Sequence, residues 1–167
     1  MKNLFLICCL ICLAFSCASD DDDNESSQEP QLTSHFEFTL DGAGFNSEQI
    51  AINRQGISVN NDRVAITAGD DNLVNFFGFY LPFPIEVTTY TMVQGSSPSE
   101  NTVFLSRNQT DVYYTEDGTI TITEINEGEN GCQIYKGSLN VNLSLTSDTA
   151  QIVNVRGLFE MPTEECE

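Results

Sequence analysis

The stretch "TITITEI", Thr119 to Ile125, sets Ile120 and Ile122 between Thr119, Thr121 and Thr123. Successive side chains of an extended chain point to opposite faces, so this alternation puts the isoleucines on one face and the threonines on the other. Both residue types are β-branched and suit a pleated surface. The expectation is a half-buried strand. Working outward, "EDG" precedes it as a lead-in and "VYYT", Val112 to Thr115, reads as a separate strand whose Tyr113 and Tyr114 face opposite sides. "NQTD" divides that strand from "TVFLSR", and "NEGENG" is the loop that follows.

The same period of two recurs along the domain, and no convincing period of 3.6 does. "FEFTL" puts Phe36, Phe38 and Leu40 on one face; "EQIAIN", Glu48 to Asn53, alternates through Ile50 and Ile52 before Gln55-Gly56 punctuates. "ISVN" leads to the turn at Asn60 to Asp62, and "RVAITA" follows with Val64, Ile66 and Ala68 on one side. "LVNFFGFYLP", Leu73 to Pro82, is almost continuously apolar and reads as a strand covered on both faces, ended by Pro82 and Pro84. "EVTTYTMV" is the next strand. The last two are long: "CQIYKGSLNVNLSL" carries Leu139, Val141, Leu143 and Leu145 on one face, and "AQIVNVRGLFEM" closes the chain's regular structure. About ten short strands with turns between them predict an all-β antiparallel β-sandwich, with a closed or partly open antiparallel β-barrel as the alternative.

The N-terminus has a different character. Lys2 precedes an apolar run from Leu4 to Phe15, too short to cross ~30 Å of hydrocarbon, which is the pattern of an export signal. Ala14 and Ser16 supply the small residues before a cut, and Cys17 follows. Residues 1–16 are thus read as a signal peptide, residues 17–34 as a tether, and residues 35–167 as one domain. From Ser19 to Pro30 the tether is Asp, Glu, Ser, Asn and Gln with almost nothing to bury.

Without residues 1–16 the chain keeps 5 basic residues against 25 acidic ones. Such a charge excludes a phosphate-binding footprint, so no nucleic-acid partner is expected. Cys132 and Cys166 remain once the signal's cysteines and Cys17 are set aside. In an exported protein the expected outcome is a disulfide. If the last two strands pair antiparallel through the turn near Ser147, their outer ends lie side by side and bring the two cysteines together. That bridge would close a loop of 35 residues, an effect of about 3 to 4 kcal/mol in the chain-entropy model.

Several of these features form a resemblance. Cys17 resembles a lipobox cysteine, although Ala14 stands where leucine is usual; the resemblance implies a diacylglyceryl thioether on its sulfur and an outer-membrane, lipid-anchored product. Ser19, Asp20, Asp21, Asp22 and Asp23 resemble the acidic export signal that sends Bacteroidota lipoproteins to the cell surface. "FEFTLDGAGF", "LPFPIEVTTYTM", "GTITITEIN", "IYKGSLNVNL" with Gly137, and "VNVRGLFEMP" follow the order of a family of small Bacteroidota surface lipoproteins with an all-β domain and no assigned activity. Over residues 36–162 the shared motifs are turn glycines and core aromatics, so the resemblance implies no catalytic residue. "DTA", Asp148 to Ala150, resembles a Bacteroidota O-glycosylation acceptor; in the turn expected there Thr149 carries either a glycan or nothing.

The search for chemistry yields no catalytic residue, no metal site and no cofactor. His35 is the only histidine and stands at the end of the tether, which disfavours a triad or a histidine-rich zinc site. Glu86, Glu124 and Glu160 are the strand carboxylates a glycosidase could use, but each is read as the polar partner of an alternating strand. The acidic loops "GDDN", Gly69 to Asn72, and "NEGEN", Asn126 to Asn130, could offer oxygens to calcium but lack EF-hand spacing. The aromatics Phe76, Phe77, Phe79, Tyr80 and Phe83 are read mostly as core, with exposed rings as the sign of glycan binding. The functional expectation is a non-enzymatic, surface-exposed lipoprotein that binds a glycan or a surface protein, or forms part of the envelope. A carbohydrate-binding accessory of a glycan-uptake system is the alternative, and a polysaccharide hydrolase a more distant one.

Overall fold

The structure, a computed structural model, describes residues 35–49, 52, 54–60, 62–95, 101–128 and 131–162. The segment read as a signal, Cys17, the acidic tract, Cys166 and residues 163–167 lie outside them. Among the described residues there are ten strands: β1 (His35–Gly42), β2 (Phe45–Gln49), β3 (Arg54–Val59), β4 (Arg63–Gly69), β5 (Asn75–Pro82), β6 (Thr89–Thr91), β7 (Thr102–Arg107), β8 (Asp111–Glu127), β9 (Gln133–Leu145) and β10 (Asp148–Pro162). The all-β antiparallel expectation holds.

The strands form one sheet in the order β2-β1-β10-β9-β8-β7-β5-β4-β3, with β6 also paired to β8. Its two edges are β2 and β3, and the sheet curls into a half-barrel. Contacts across the interior show the curl. Phe38 on β1 meets Phe77 on β5 with ring centroids 4.7 Å apart, and Phe79 on β5 meets Phe159 on β10 at 5.2 Å. At one end Arg107 of β7 lies 4.2 Å over the Phe45 ring of β2 and 3.9 Å from Glu48. The interior is solid: Val64, Ile66, Phe77, Phe79, Leu81, Ile120, Val141, Leu143, Val153 and Val155 are each fully buried, and burying side chains of this size contributes about 1.5–3 kcal/mol apiece.

Several local expectations need correction. "VYYT" and "TITITEI" are not two strands: β8 runs unbroken through "EDG". It carries register shifts between Thr115 and Asp117 and between Ile122 and Glu124. Each inserts one residue and reverses which parity faces inward. Tyr113 and Thr115 point in before the first shift, Ile120 and Ile122 after it. The bulge also lets β8 serve two partners on one edge, β7 along Asp111–Tyr114 and β6 along Thr119–Thr121.

Gln55 and Gly56 lie inside β3, because pairing with Thr67 and Ala68 overrides the glycine as punctuation. β2 begins at Phe45 and ends at Gln49, earlier than "EQIAIN" predicts; Ile50, Ala51 and Asn53 lie outside the described residues. "EVTTYTMV" contributes only Thr89–Thr91, and Glu86 stands outside any strand. The turn after β9 is Thr146-Ser147, so "DTA" opens β10. Thr149 is exposed there, within the register shift between Asp148 and Ile152.

Three glycines face aromatic rings at close quarters. A Cβ on Gly78 would stand 2.5 Å from Phe104, one on Gly137 2.6 Å from Phe159, and one on Gly157 2.5 Å from Phe38. In each case the ring belongs to the directly paired residue of the next strand. The phenylalanine lies down over the bare backbone and supplies the cover a side chain would have given.

Candidate functional site

β5 divides the aromatic run by parity. Phe77, Phe79 and Leu81 point into the core, whereas Phe76 and Tyr80 are half-buried on the outer face. The expectation of a strand buried on both faces is thus met only on the inner side, and Phe83, beyond the strand, is exposed. On the neighbouring β7 the outer-facing residue is Phe104, which lies over Gly78. Its ring stacks against Tyr80 with centroids 6.0 Å apart and planes 29° apart, and meets Phe76 at 5.4 Å and 45°. Arg63 of β4 caps the group, its guanidinium 5.3 Å from the Tyr80 centroid. Tyr114 of β8 pairs with Phe104 and extends the strip, while Tyr113, on the opposite side as the alternation in "VYYT" requires, points into the core.

A polar row borders the rings. Next to the Tyr114–Ser144 pair on the same face come Asp117 and Asn142, paired across β8 and β9, with Asn154 of β10 opposite Asn142. The Asn154 amide donates to Asn140 Oδ1 (2.9 Å) and Asn142 Oδ1 (3.0 Å), and the Asn142 amide donates to Asp117 Oδ1 (2.7 Å). Glu116, the residue inserted by the bulge, accepts from Ser144 Oγ and from Gln94 Nε2 (2.6 Å). These side chains hold one another in fixed orientations. Sequence reasoning missed Phe104 and the asparagines; the one available signal was the parity that separates Phe76 and Tyr80 from Phe77 and Phe79.

The other candidates fall elsewhere. Glu124 and Glu160 flank Lys136, with Nζ–O distances of 4.0 and 3.2 Å, on the outside of the sheet; such exposed pairs contribute at most about 1 kcal/mol. His35 Nε2 lies 3.2 Å from Glu37. Among the described residues no three His, Cys, Asp or Glu side chains gather in a metal-holding group. Cys132 is a buried half-cystine. The β9–β10 register sets Pro162 opposite Ile134, two residues from Cys132, while Cys166 lies outside the described residues.

In "GDDN" the Asp70 carboxylate is committed to its own turn, accepting from the Val74 amide (2.7 Å), the Asn75 amide (2.9 Å) and the Asn75 side chain (3.1 Å). Desolvation pushes this carboxyl up, but the Asn75, Val74 and Asn72 donors together outweigh it and hold it below the ordinary carboxylate value. A lowered folded value means that the turn is supported above the ordinary aspartate range and loses that support as pH falls through the lowered value. Carboxyl NMR titration should therefore give Asp70 a midpoint below that of a free aspartate, with exchange of the Val74 and Asn75 amides rising below it. A midpoint at or above the free value would contradict the assignment.

No protein-family model matches the chain, and neither the curated proteins nor the solved structures contain a match to it.

Proposed function

We propose that the chain is a lipid-anchored protein of the outer-membrane surface, related to the small Bacteroidota lipoproteins, whose domain acts by binding and not by catalysis. The observation that carries the binding role is the position of the aromatic rings. The interior of the half-barrel is filled by its own side chains, whereas Phe76, Tyr80, Phe104 and Tyr114 are kept half-exposed on one outer face. Rings placed so, beside an ordered polar row, suit recognition of an external partner. The carboxylates the sequence offered for hydrolysis are engaged by Lys136 or stand outside the strands, which favours binding further.

Anchoring comes from Cys17, display from Ser19 to Asp23, and the bridge between Cys132 and Cys166 pins the C-terminus. More than one acyl chain is needed for a stable anchor, since a single chain binds only marginally. Detergent phase partitioning tests this directly. The native protein should enter the detergent phase, and Cys17→Ala should accumulate as precursor or in the aqueous phase. Replacing Asp20 to Asp23 by alanine should leave the protein anchored but shielded from protease added to intact cells. Unchanged partitioning of Cys17→Ala would sink the anchor, and equal protease access would reduce the aspartates to a linker.

A further inference from the structure

We propose that β2 and the turn before it form a strap across one end of the half-barrel, closed by Phe45 lying against Arg107, and that this strap swings off while the rest of the sheet stays folded. The inference concerns a motion of the domain and is independent of what the domain binds or how it is anchored.

Along its backbone the strap is held weakly. Among the described residues β2 is hydrogen-bonded to β1 alone, and even that ladder is split. Gly42 pairs with Phe45 and Leu40 with Glu48, so Asn46 and Ser47 together stand opposite Asp41. Ser47, with a φ of 50°, leaves the extended range and takes up the extra residue. The turn into β2 is left-handed throughout: Gly42, Ala43 and Gly44 have φ values of 94°, 48° and 86°. Such a backbone suits the glycines and disfavours Ala43.

Side chains supply the hold instead. Of the five residues of β2 only Phe45 is buried, and it meets Tyr113 of β8 edge to face, with centroids 6.2 Å apart and planes at 64°. The Arg107 guanidinium of β7 stands 4.2 Å from the Phe45 centroid, with Nη2 3.9 Å from Glu48 Oε2. In the sheet β1, β10, β9 and β8 all lie between β2 and β7, so this contact crosses the mouth of the curl and does not follow the ladder. A cation over a ring gains strength where water is partly excluded, and the Arg107 side chain is only 33% exposed. The Glu48 side chain is 51% exposed, so its ion pair adds little. Closure therefore depends mainly on one ring and one guanidinium.

Segments that open without global unfolding are those with few buried contacts and exposed strand hydrogen bonds. An edge strand with one buried side chain is such a segment. Opening uncovers the Tyr113 ring where Phe45 touches it, and it leaves β1 with an unpaired edge from Thr39 to Gly42. The strap thus guards an apolar socket with a free strand edge beside it.

The test is amide hydrogen exchange of the mature lipoprotein in detergent micelles, followed residue by residue by NMR. In the native protein the β2 amides bonded to β1 should exchange together, about tenfold or more faster than the bonded amides of β9, which has a neighbour on both sides. Arg107→Ala should speed the β2 amides by about fivefold and leave β9 as it was. Phe45→Leu keeps an apolar plug and removes the ring, so in that background Arg107→Ala should add nothing further. The proposal is overturned if the β2 amides exchange as slowly as those of β9, or if Arg107→Ala leaves β2 unchanged or speeds β9 equally. It is overturned also if Arg107→Ala keeps its full effect beside Phe45→Leu. Unchanged β9 protection shows that a variant is folded, and where one is not, the comparison of β2 with β9 in the native protein still decides.

Discussion

Gly157→Ala is expected to cost about 3 kcal/mol or more, the upper part of the range for forced overpacking. The new methyl would fall on the carbonyl oxygen of Glu37 and within 2.5 Å of the Phe38 ring. A ring can turn aside, but the Glu37 carbonyl is backbone in the middle of β1, which pairs with β10 from His35–Glu160 to Asp41–Asn154. Relief therefore requires the two strands to part. Because β2 is hydrogen-bonded to the sheet through β1 alone, both strands would loosen together, and Phe38 would leave its contact with Phe77. Urea unfolding should show the loss as a lower midpoint. Adding Phe38→Leu should not restore it, because the obstructing atom is not in the ring. A Gly157→Ala protein within 1 kcal/mol of the native one would show that β1 and β10 are not paired in this register.

The second large effect is expected at Thr115, a buried polar residue on β8. Its hydroxyl accepts from the Val103 amide at 2.6 Å and donates to the Val103 carbonyl at 3.0 Å. It stands in for a ladder pair at the point where β8 leaves β7 and turns toward β6. Thr115→Val keeps the shape and removes both bonds, leaving a buried donor and a buried acceptor unmet. At about 1–3 kcal/mol for each such group, less what local relaxation recovers, the loss should be about 2–4 kcal/mol. For a domain of this size that lowers Tm by roughly 10 °C. Thr115→Ser retains the hydroxyl and should stay within about 1 kcal/mol, the size of one methyl group. Equal destabilisation by Val and Ser would assign the effect to packing.

These two residues mark where sequence reasoning succeeds and where it stops. Alternation is a local property, so the facing of Tyr113 against Tyr114, of Val64, Ile66 and Ala68, and of Leu139 to Leu145 is legible from a few neighbouring letters. A bulge reverses that alternation, and in a sequence a reversal looks like the end of a strand. Glu116 therefore made one long strand read as two, with "EDG" taken for a connection, and the shift at Thr123 passed unnoticed inside "TITITEI". Gly56 was misread for a related reason, since a glycine in a paired strand and a glycine in a turn are the same letter. The candidate site was half visible. Parity within "NFFGFY" separates Phe76 and Tyr80 from the core rings, but Phe104 reaches Gly78 only through the β5–β7 pairing, and the asparagines meet only through the β8–β9–β10 register. Cross-strand register is set by the whole sheet, so no local window contains it.

The pairing of β1 with β10 also fixes an order of events as the chain is made. The first strand to leave the ribosome, "HFEFTLDG", is joined to the rest of the sheet only through the last one, "DTAQIVNVRGLFEMP". The β1–β2 hairpin and those among β3 to β9 can form as they emerge, while Phe36, Phe38 and Leu40 of β1 lack their β10 neighbours until almost the whole chain has been synthesised. Contacts between such distant segments carry a large closure entropy and fold slowly. A ribosome-bound chain halted before Asp148 should therefore remain open at its N-terminal end, available to chaperones or to a translocation channel that accepts only unfolded polypeptide, and the domain becomes protease-resistant only on release.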